Sequence, residues 1–393
     1  MREKPIWNRL QPKQMQANVV TLALISFSLC ILRSSASDPP TEKVGWAGFA
    51  FRGKASKVAS QYPLSSRFVK DIQDHLREQI ATLSPENFVL ETDALLDWRK
   101  GEEISLACVM DFEQEILAPI YDVATEKLFY ILGAMFSGEA MLLDYPRSKV
   151  IGSTPFTCYI TNAFPVKSEK QLERMVKRLL MHPDAGFIAE FIKAARSMHP
   201  KRKTGAAILV RPVELSDSAR SKLGIDSSET NDRWAIFFAN RIGAILAQVH
   251  QAAIMPSVKD AATEKIRLRF ADTSELELRL DEPAYVMIPK VEGIARYQDP
   301  KQSNEVRDVV IYGAKGVIQV LNGSPGAGKS WIEKWVGTWG REFVRGKQFT
   351  EAEPFYYRSI IEGALLETVE RKLLEKSNSS RNAFEEMIRK CRI

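Results

Sequence analysis

The sequence is poor in the residues that usually announce an active site. Its four histidines, His75, His182, His199 and His250, stand singly, so none has the spacing of a metal-ligating pair. Its four cysteines, Cys30, Cys108, Cys158 and Cys391, form no CxxC pair and no dense framework, which excludes a zinc ribbon and a disulfide-stapled small domain. Cys108 and Cys158 could form one bridge in an oxidising compartment; two buried thiols are the expectation. No HExxH string occurs, and Ser324 sits in no GxSxG elbow. The acidic pairs Glu102-Glu103 and Glu385-Glu386 read as solvated faces. A hydrolytic site gathered from distant residues would leave no such local mark.

A membrane-length apolar run is also lacking. The uncharged segment from Val19 to Leu32 has about 14 residues, short of the roughly 20 that a helix needs to cross a bilayer. Arg2, Lys4, Arg9 and Lys13 precede it, and the small residues Ser34, Ser35, Ala36 and Ser37 follow. That order predicts an export signal, residues 1–36, cleaved after Ala36; the alternative is an uncleaved anchor. Cys30 lies inside the apolar run behind the bulky Phe27 and Leu29, so lipid attachment is not expected. The signal carries +4 of the formal charge of +6 (five Lys/Arg, one Glu) and leaves +2 for the remainder. So small a surplus argues against a nucleic-acid partner.

What the chain does contain is apolar and patterned. A hydrophobic content of 45% supports globular cores. Val44 to Gly53 reads as a strand, and Phe68, Ile72, Leu76, Ile80 and Leu83 recur on one helical face after Pro63. Strand-like runs follow at 88–96, 104–112, 128–143 and 150–161, the last two joined by a turn at Tyr145-Pro146-Arg147-Ser148. Helices are expected at 169–181 and 185–198. The order then starts again: a buried strand from Thr204 to Arg211, a helix carrying Trp234, Phe237, Phe238, Ile242, Ile245 and Leu246, a split strand over 266–280, strands at 285–297, 309–321 and 331–339, and a closing helix over 354–375. The fold class is therefore α+β, with two related mixed-sheet domains, 37–200 and 201–393, each carrying amphipathic helices on a hairpin-rich sheet. The linker is expected at Met198 to Lys203.

Gly323-Ser324-Pro325-Gly326-Ala327-Gly328-Lys329-Ser330 matches the phosphate-loop pattern GxxxxGK[ST] and follows the apolar run Val317 to Leu321. In a nucleotide site Gly323 and Gly328 would let the backbone wrap the phosphates of ATP or GTP, with Lys329 on phosphate oxygens and Ser330 on Mg²⁺. The context argues for a hairpin turn and no cofactor. Only about 60 residues follow, too few for the remaining parallel strands, and none of them is aspartate; Asp111 or Asp144 would have to substitute. The next residues, Trp331 to Gly340, include two glycines, each costing about 1 kcal/mol inside a helix. Ser324-Pro325-Gly326 and Gly328 are turn chemistry. Trp331, Trp335 and Trp339 form a stripe, read either as packing beneath the closing helix or as an edge that docks a partner.

The apolar strand Ala206 to Val210, the helix around Phe237 to Val249, and Val317-Ile318-Gln319-Val320-Leu321 followed by Gly328-Lys329-Ser330-Trp331-Ile332 together resemble the periplasmic α/β modules of bacterial envelope proteins. The comparison is with curli-secretion lipoprotein and TolB N-terminal-like domains, and covers about half of the chain. The resemblance implies a soluble envelope protein that binds other proteins, and brings no catalytic residues. The expectation is thus an exported, periplasmic or envelope-associated, non-enzymatic binding or assembly protein. Envelope proteins are the expected partners, with peripheral membrane association compatible. The alternative is a P-loop nucleotide-binding protein.

Overall fold

The alternating runs of the sequence pair into one mixed sheet. A computed structural model describes residues 42–92, 104–122, 127–200, 206–225, 227–259, 261, 265–323, 330–345, 352–372 and 378–392. The expected signal segment 1–36 lies outside them. In chain order the elements are β1 (Lys43–Arg52), α1 (Ala55–Gln61), α2 (Val69–Ala81), β2 (Val89–Glu91), β3 (Ile104–Asp122), β4 (Lys127–Asp144), β5 (Lys149–Phe164), α3 (Glu169–Met181) and α4 (Phe187–Arg196). There follow β6 (Ile208–Val210), β7 (Glu214–Leu215), α5 (Asp217–Lys222), α6 (Ser228–Gln248), β8 (Ile254–Met255), β9 (Ile266–Phe270), β10 (Glu275–Leu278) and β11 (Tyr285–Gln298). β12 (Arg307–Asn322), β13 (Ser330–Val344), α7 (Glu353–Glu367) and α8 (Asn378–Lys390) complete the chain, with a π turn after α7. The α+β class holds.

The strand order is β10-β9-β1-β3-β4-β5-β8-β6-β11-β12-β13, with β2 beside β1 and β7 beside β11. Each half contributes the same unit. In the first, β1 runs parallel to β3, and β3, β4 and β5 form an antiparallel meander followed by helices. In the second, β6 runs parallel to β11, and β11, β12 and β13 repeat the meander before α7 and α8. The boundary expected near residue 200 nevertheless separates no sheets. Strand β8 bridges β5 and β6, the β9–β10 hairpin of the second half pairs with β1 of the first, and residues 42–393 form one compact unit. Periodicity reports which residues make strands; it does not report which strand edges meet.

Three apolar clusters follow from that order. Helices α2, α3 and α4 cover one face of the first half, where Ile72, Leu76, Val176, Leu179, Phe187 and Phe191 meet Trp46, Phe49, Leu106, Cys108, Phe136 and Phe156. Trp46 and Phe49 differ by three positions and would face opposite ways in a regular strand. A register shift between Trp46 and Gly48, with Gly48 at φ 106°, turns Phe49 back into the same core. The second cluster joins α6, α7 and α8 to β6, β11, β12 and β13. The third lies under the segment after β8, where Val258 and Ala261 pack with Val109, Met141, Leu143, Leu268 and Val286.

A second bulge, in β3, positions the site below. Met110 pairs with Gly138, but Phe112 pairs with Ser137, so Asp111 is the extra residue. Met110 stays in the first cluster, while Phe112 swings to the other face and packs on Trp234 and Phe237 of α6, ring centroids 4.9 and 4.7 Å away. Opposite the bulge, Gly138 permits the close approach: a Cβ there would stand 2.6 Å from the Val109 carbonyl and 2.8 Å from the rings of Phe156 and Phe187. Gly138→Ala is expected to cost about 1–3 kcal/mol in urea-unfolding measurements. A native-like midpoint would contradict this packing.

Cys108 and Cys158 are free, buried thiols, with no bridge between them, and burial pushes the acid dissociation of both up, so they are unreactive core residues at neutral pH. Among the described residues no helix is long and apolar enough to cross a membrane.

Candidate functional site

Residues 324–329 of the glycine-rich loop, including Gly328 and Lys329, lie outside the described residues, but both flanks are described. Leu321 pairs with Ser330, so the segment joins two antiparallel neighbours, β12 and β13. It holds the same place in the second meander that Tyr145-Pro146-Arg147-Ser148 holds between β4 and β5. Gly323 takes φ 79° and donates its N–H to the Ala284 carbonyl at 2.8 Å. Ser330 opens a strand, whereas a phosphate loop leads into a helix whose N-terminal N–H groups face the anion.

The tryptophan stripe faces inward. Trp335 is 1% exposed, and its ring lies over its cross-strand partner Gly316, where a Cβ would come within 2.7 Å of the indole. Trp331 packs edge-on against Phe384 of α8, centroids 6.4 Å apart, and Trp339 against Tyr356 of α7 at 5.5 Å. Of the two readings of the stripe, packing beneath the C-terminal helices is the one these contacts match. The alternate positions of β13 point the other way. Ile332 and Val336 are 55% and 61% exposed, and Lys334 stands between them. Among the described residues no further strand pairs beyond β13, and its 15 residues form one unpaired edge of the sheet they make.

The densest chemistry lies where the β3 bulge meets α6. Asp111, Glu139 of β4, Ser137, Ser153 of β5, Asn240 of α6 and Ser257 are all buried. Glu139 accepts from Arg52 Nη1 at 3.2 Å and from the Ser153 hydroxyl, and Arg52 also donates to the Ser257 carbonyl. Asp111 Oδ2 accepts from the Asn240 amide. Ser137 faces the Asp111 carboxyl, and Ser257 Oγ has no hydrogen-bond partner among the described residues. Burial first, and the Glu139 charge second, push the Asp111 carboxyl up to about 8, against the pull of Arg52. Near neutral pH, then, Asp111 keeps a proton.

A third carboxylate, Glu113, stands beyond the bulge. Its oxygens accept from the backbone N–H groups of Leu64 at 2.7 Å and Ser65 at 2.9 Å. Burial pushes its carboxyl up, and those hydrogen bonds with the nearby Arg233 oppose the shift. Arg233 donates to the Glu113 carbonyl at 2.9 Å and lies over the rings of Phe112 and Tyr62. The Tyr62 hydroxyl in turn donates to the Arg52 carbonyl at 2.8 Å.

A buried pair of carboxylates is the raw material of acid–base chemistry. Here both are buried: Glu139 is 0% and Asp111 6% exposed. Among the described residues no group of three His, Cys, Asp or Glu side chains is placed to hold a metal ion. Hydrogen bonds of the Glu139 and Asp111 groups join β1, β4, β5 and the segment at Ser257, and tie β3 to α6. Sequence reasoning singled out Asp111 only as a substitute for a missing aspartate and passed over Glu139. The available signal was one carboxylate inside the buried run Ala134 to Leu143.

No family model matches this chain, and no curated protein matches it.

Proposed function

We propose that the chain is an exported, envelope-associated binding or assembly protein that takes an extended segment of a partner along β13. The observation that supports this reading is the free 15-residue edge of β13 with Ile332 and Val336 exposed on its outward face. A free edge presents a row of backbone donors and acceptors for strand addition, and alternate side chains select the partner. Natural sheets blunt such edges with charge and bulges; along the described outward face of β13 Lys334 is the charged residue. Export rests on the order of basic, apolar and small residues ahead of Ser37, and the resemblance to periplasmic modules points the same way. The reading requires no cofactor.

A photocrosslinking amino acid at Thr338, exposed on the same outward face, is expected to give an adduct with an envelope protein in intact cells, and the same label at the buried position Trp335 none. Ile332→Lys with Val336→Lys should abolish the adduct while moving stability by no more than about 0.5 kcal/mol, as exposed substitutions do. N-terminal sequencing of the fractionated protein should find Ser37 first. An intact chain in the cytosol, or a crosslink indifferent to the double substitution, would overturn the proposal.

A further inference from the structure

Where β1 ends against β9, a groove of about 530 Å³ opens at the surface, lined among others by Arg52, Gly53, Lys54, Lys265, Arg267 and Glu277. Its size falls in the range of small-molecule sites. Four of those side chains are cationic and one is anionic. Glu277 is shared by Lys265 and by Arg267, whose Nε lies 2.9 Å away. Two basic groups thus converge on one carboxylate.

Arg52 gives the groove a fixed anchor. Its side chain is 14% exposed, and the guanidinium is held from behind by the buried Glu139 and the Ser257 carbonyl. Those contacts use one hydrogen on each of its two terminal nitrogens, and a guanidinium carries five N–H donors in a rigid fork. A buried ion pair of this kind contributes little to stability compared with an apolar replacement; what it does do is fix direction. Gly53 follows at φ 128°, without a side chain of its own, and donates its N–H to the Arg267 carbonyl at 2.8 Å, tying the two basic strands together.

The charge balance selects the ligand. Glu139 neutralises Arg52 and Glu277 neutralises one of its two partners, so the groove keeps a surplus of two positive charges, from Lys54 and from the Lys265–Arg267 pair. A phosphate monoester carries nearly two negative charges at neutral pH and offers three acceptor oxygens. A fork plus mobile ammonium groups is the donor set that phosphate takes.

We propose that this groove binds a phosphate group, with Arg52 as the fixed donor and Lys54, Lys265 and Arg267 closing on it from the rim. The phosphate can come from a soluble ester or from a lipid headgroup, and the test separates the two. The full chain is titrated with sodium phosphate at constant ionic strength, with sodium chloride as the reference, by isothermal titration calorimetry. It is also sedimented with vesicles of phosphatidic acid, whose headgroup is a phosphate monoester, in phosphatidylcholine. Saturable phosphate binding is expected, weakened about tenfold by Lys54→Gln and by Arg267→Gln, each removing one charge-assisted contact. Both positions are exposed, so these variants are expected to fold. Lys177→Gln, on α3, should leave binding unchanged. Binding to vesicles with the same dependence on Lys54 and Arg267, and none to free phosphate, would support the site and assign it to a headgroup. No binding in either arm, or binding indifferent to both rim variants, would overturn it.

Discussion

Asp111→Asn is expected to make the protein more stable than native at pH 8, and the advantage should shrink steadily as the pH is lowered toward 4. The reason is proton linkage. The folded protein holds the Asp111 proton up to about 8, whereas the unfolded chain releases it near the ordinary aspartate value of 3.8. Folding therefore takes up a proton throughout that window. The contribution of Asp111 is fully present below pH 4 and is lost as the pH climbs through 8, at a slope on the order of 1 kcal/mol per pH unit. Asparagine has the same shape and does not titrate, so the slope should flatten. The groups facing Asp111 are known: Arg52 from β1, Ser137 and Glu139 from β4, and Asn240 from α6, with Tyr62, Glu113 and Arg233 further along the bulge. Urea unfolding of both proteins between pH 4.5 and 8.5 reads the difference directly, those values spanning roughly the window in which linkage acts. Parallel stability curves would show that Asp111 is ionised in the fold.

Trp335→Ala should cost about 3–5 kcal/mol, the range for removing a large aromatic side chain from a core. Trp339→Ala should cost about 1 kcal/mol, because its indole is 39% exposed and rests on the surface of Tyr356 beneath Arg341. The contrast follows from position on one strand face. Trp335 fills the space that Gly316 leaves in β12, and a Cβ at 316 would also stand 1.8 Å from the Lys290 carbonyl, so neither partner can be resized alone. Denaturant midpoints of the two variants, followed by circular dichroism, check the ranking. Equal costs would mean that the stripe is not layered under α7 and α8 as described.

How much of this was legible depends on the range of the interaction concerned. Helix α3 begins and ends where its apolar spacing and the capping Ser168 place it, since those are contacts within one turn. The turn at 145–148 was readable for the same reason, since proline acts on its own dihedrals, and the antiparallel pairing of β12 with β13 is the one expected on either side of the glycine-rich segment. Strand β3 runs ten residues past the expected end at Phe112, through Pro119 and several charged residues, because pairing with β4 continues to Asp122 whatever the local propensity. Helix α8, with Phe384 and Met387 buried, went unread, since polar residues dominate it and its helicity depends on docking against β13 and the loop after α6.

The candidate sites divide along the same line. Ile332 and Val336 could be assigned to a strand from sequence, but their exposure could not, because it depends on which meander strand ends the sheet. Asp111 and Glu139 are 28 residues apart and meet only after a one-residue bulge shifts the register. Arg52, Lys265 and Arg267 share a groove because β9 pairs with the outer side of β1, more than 200 residues earlier in the chain.

By itself, then, the amino-acid order determined the class of fold, the places of the long strands and helices, the antiparallel pairing of β12 with β13, and the repeated sequence of elements. Those features rest on torsional preference and on apolar spacing within a dozen residues, which a chain carries before it folds. Tertiary structure alone decided that the two repeats share one sheet, which edge stays free, and which charges are brought into contact. Such outcomes depend on hydrogen bonds and desolvation between segments far apart in the chain, and no local window of sequence contains both partners.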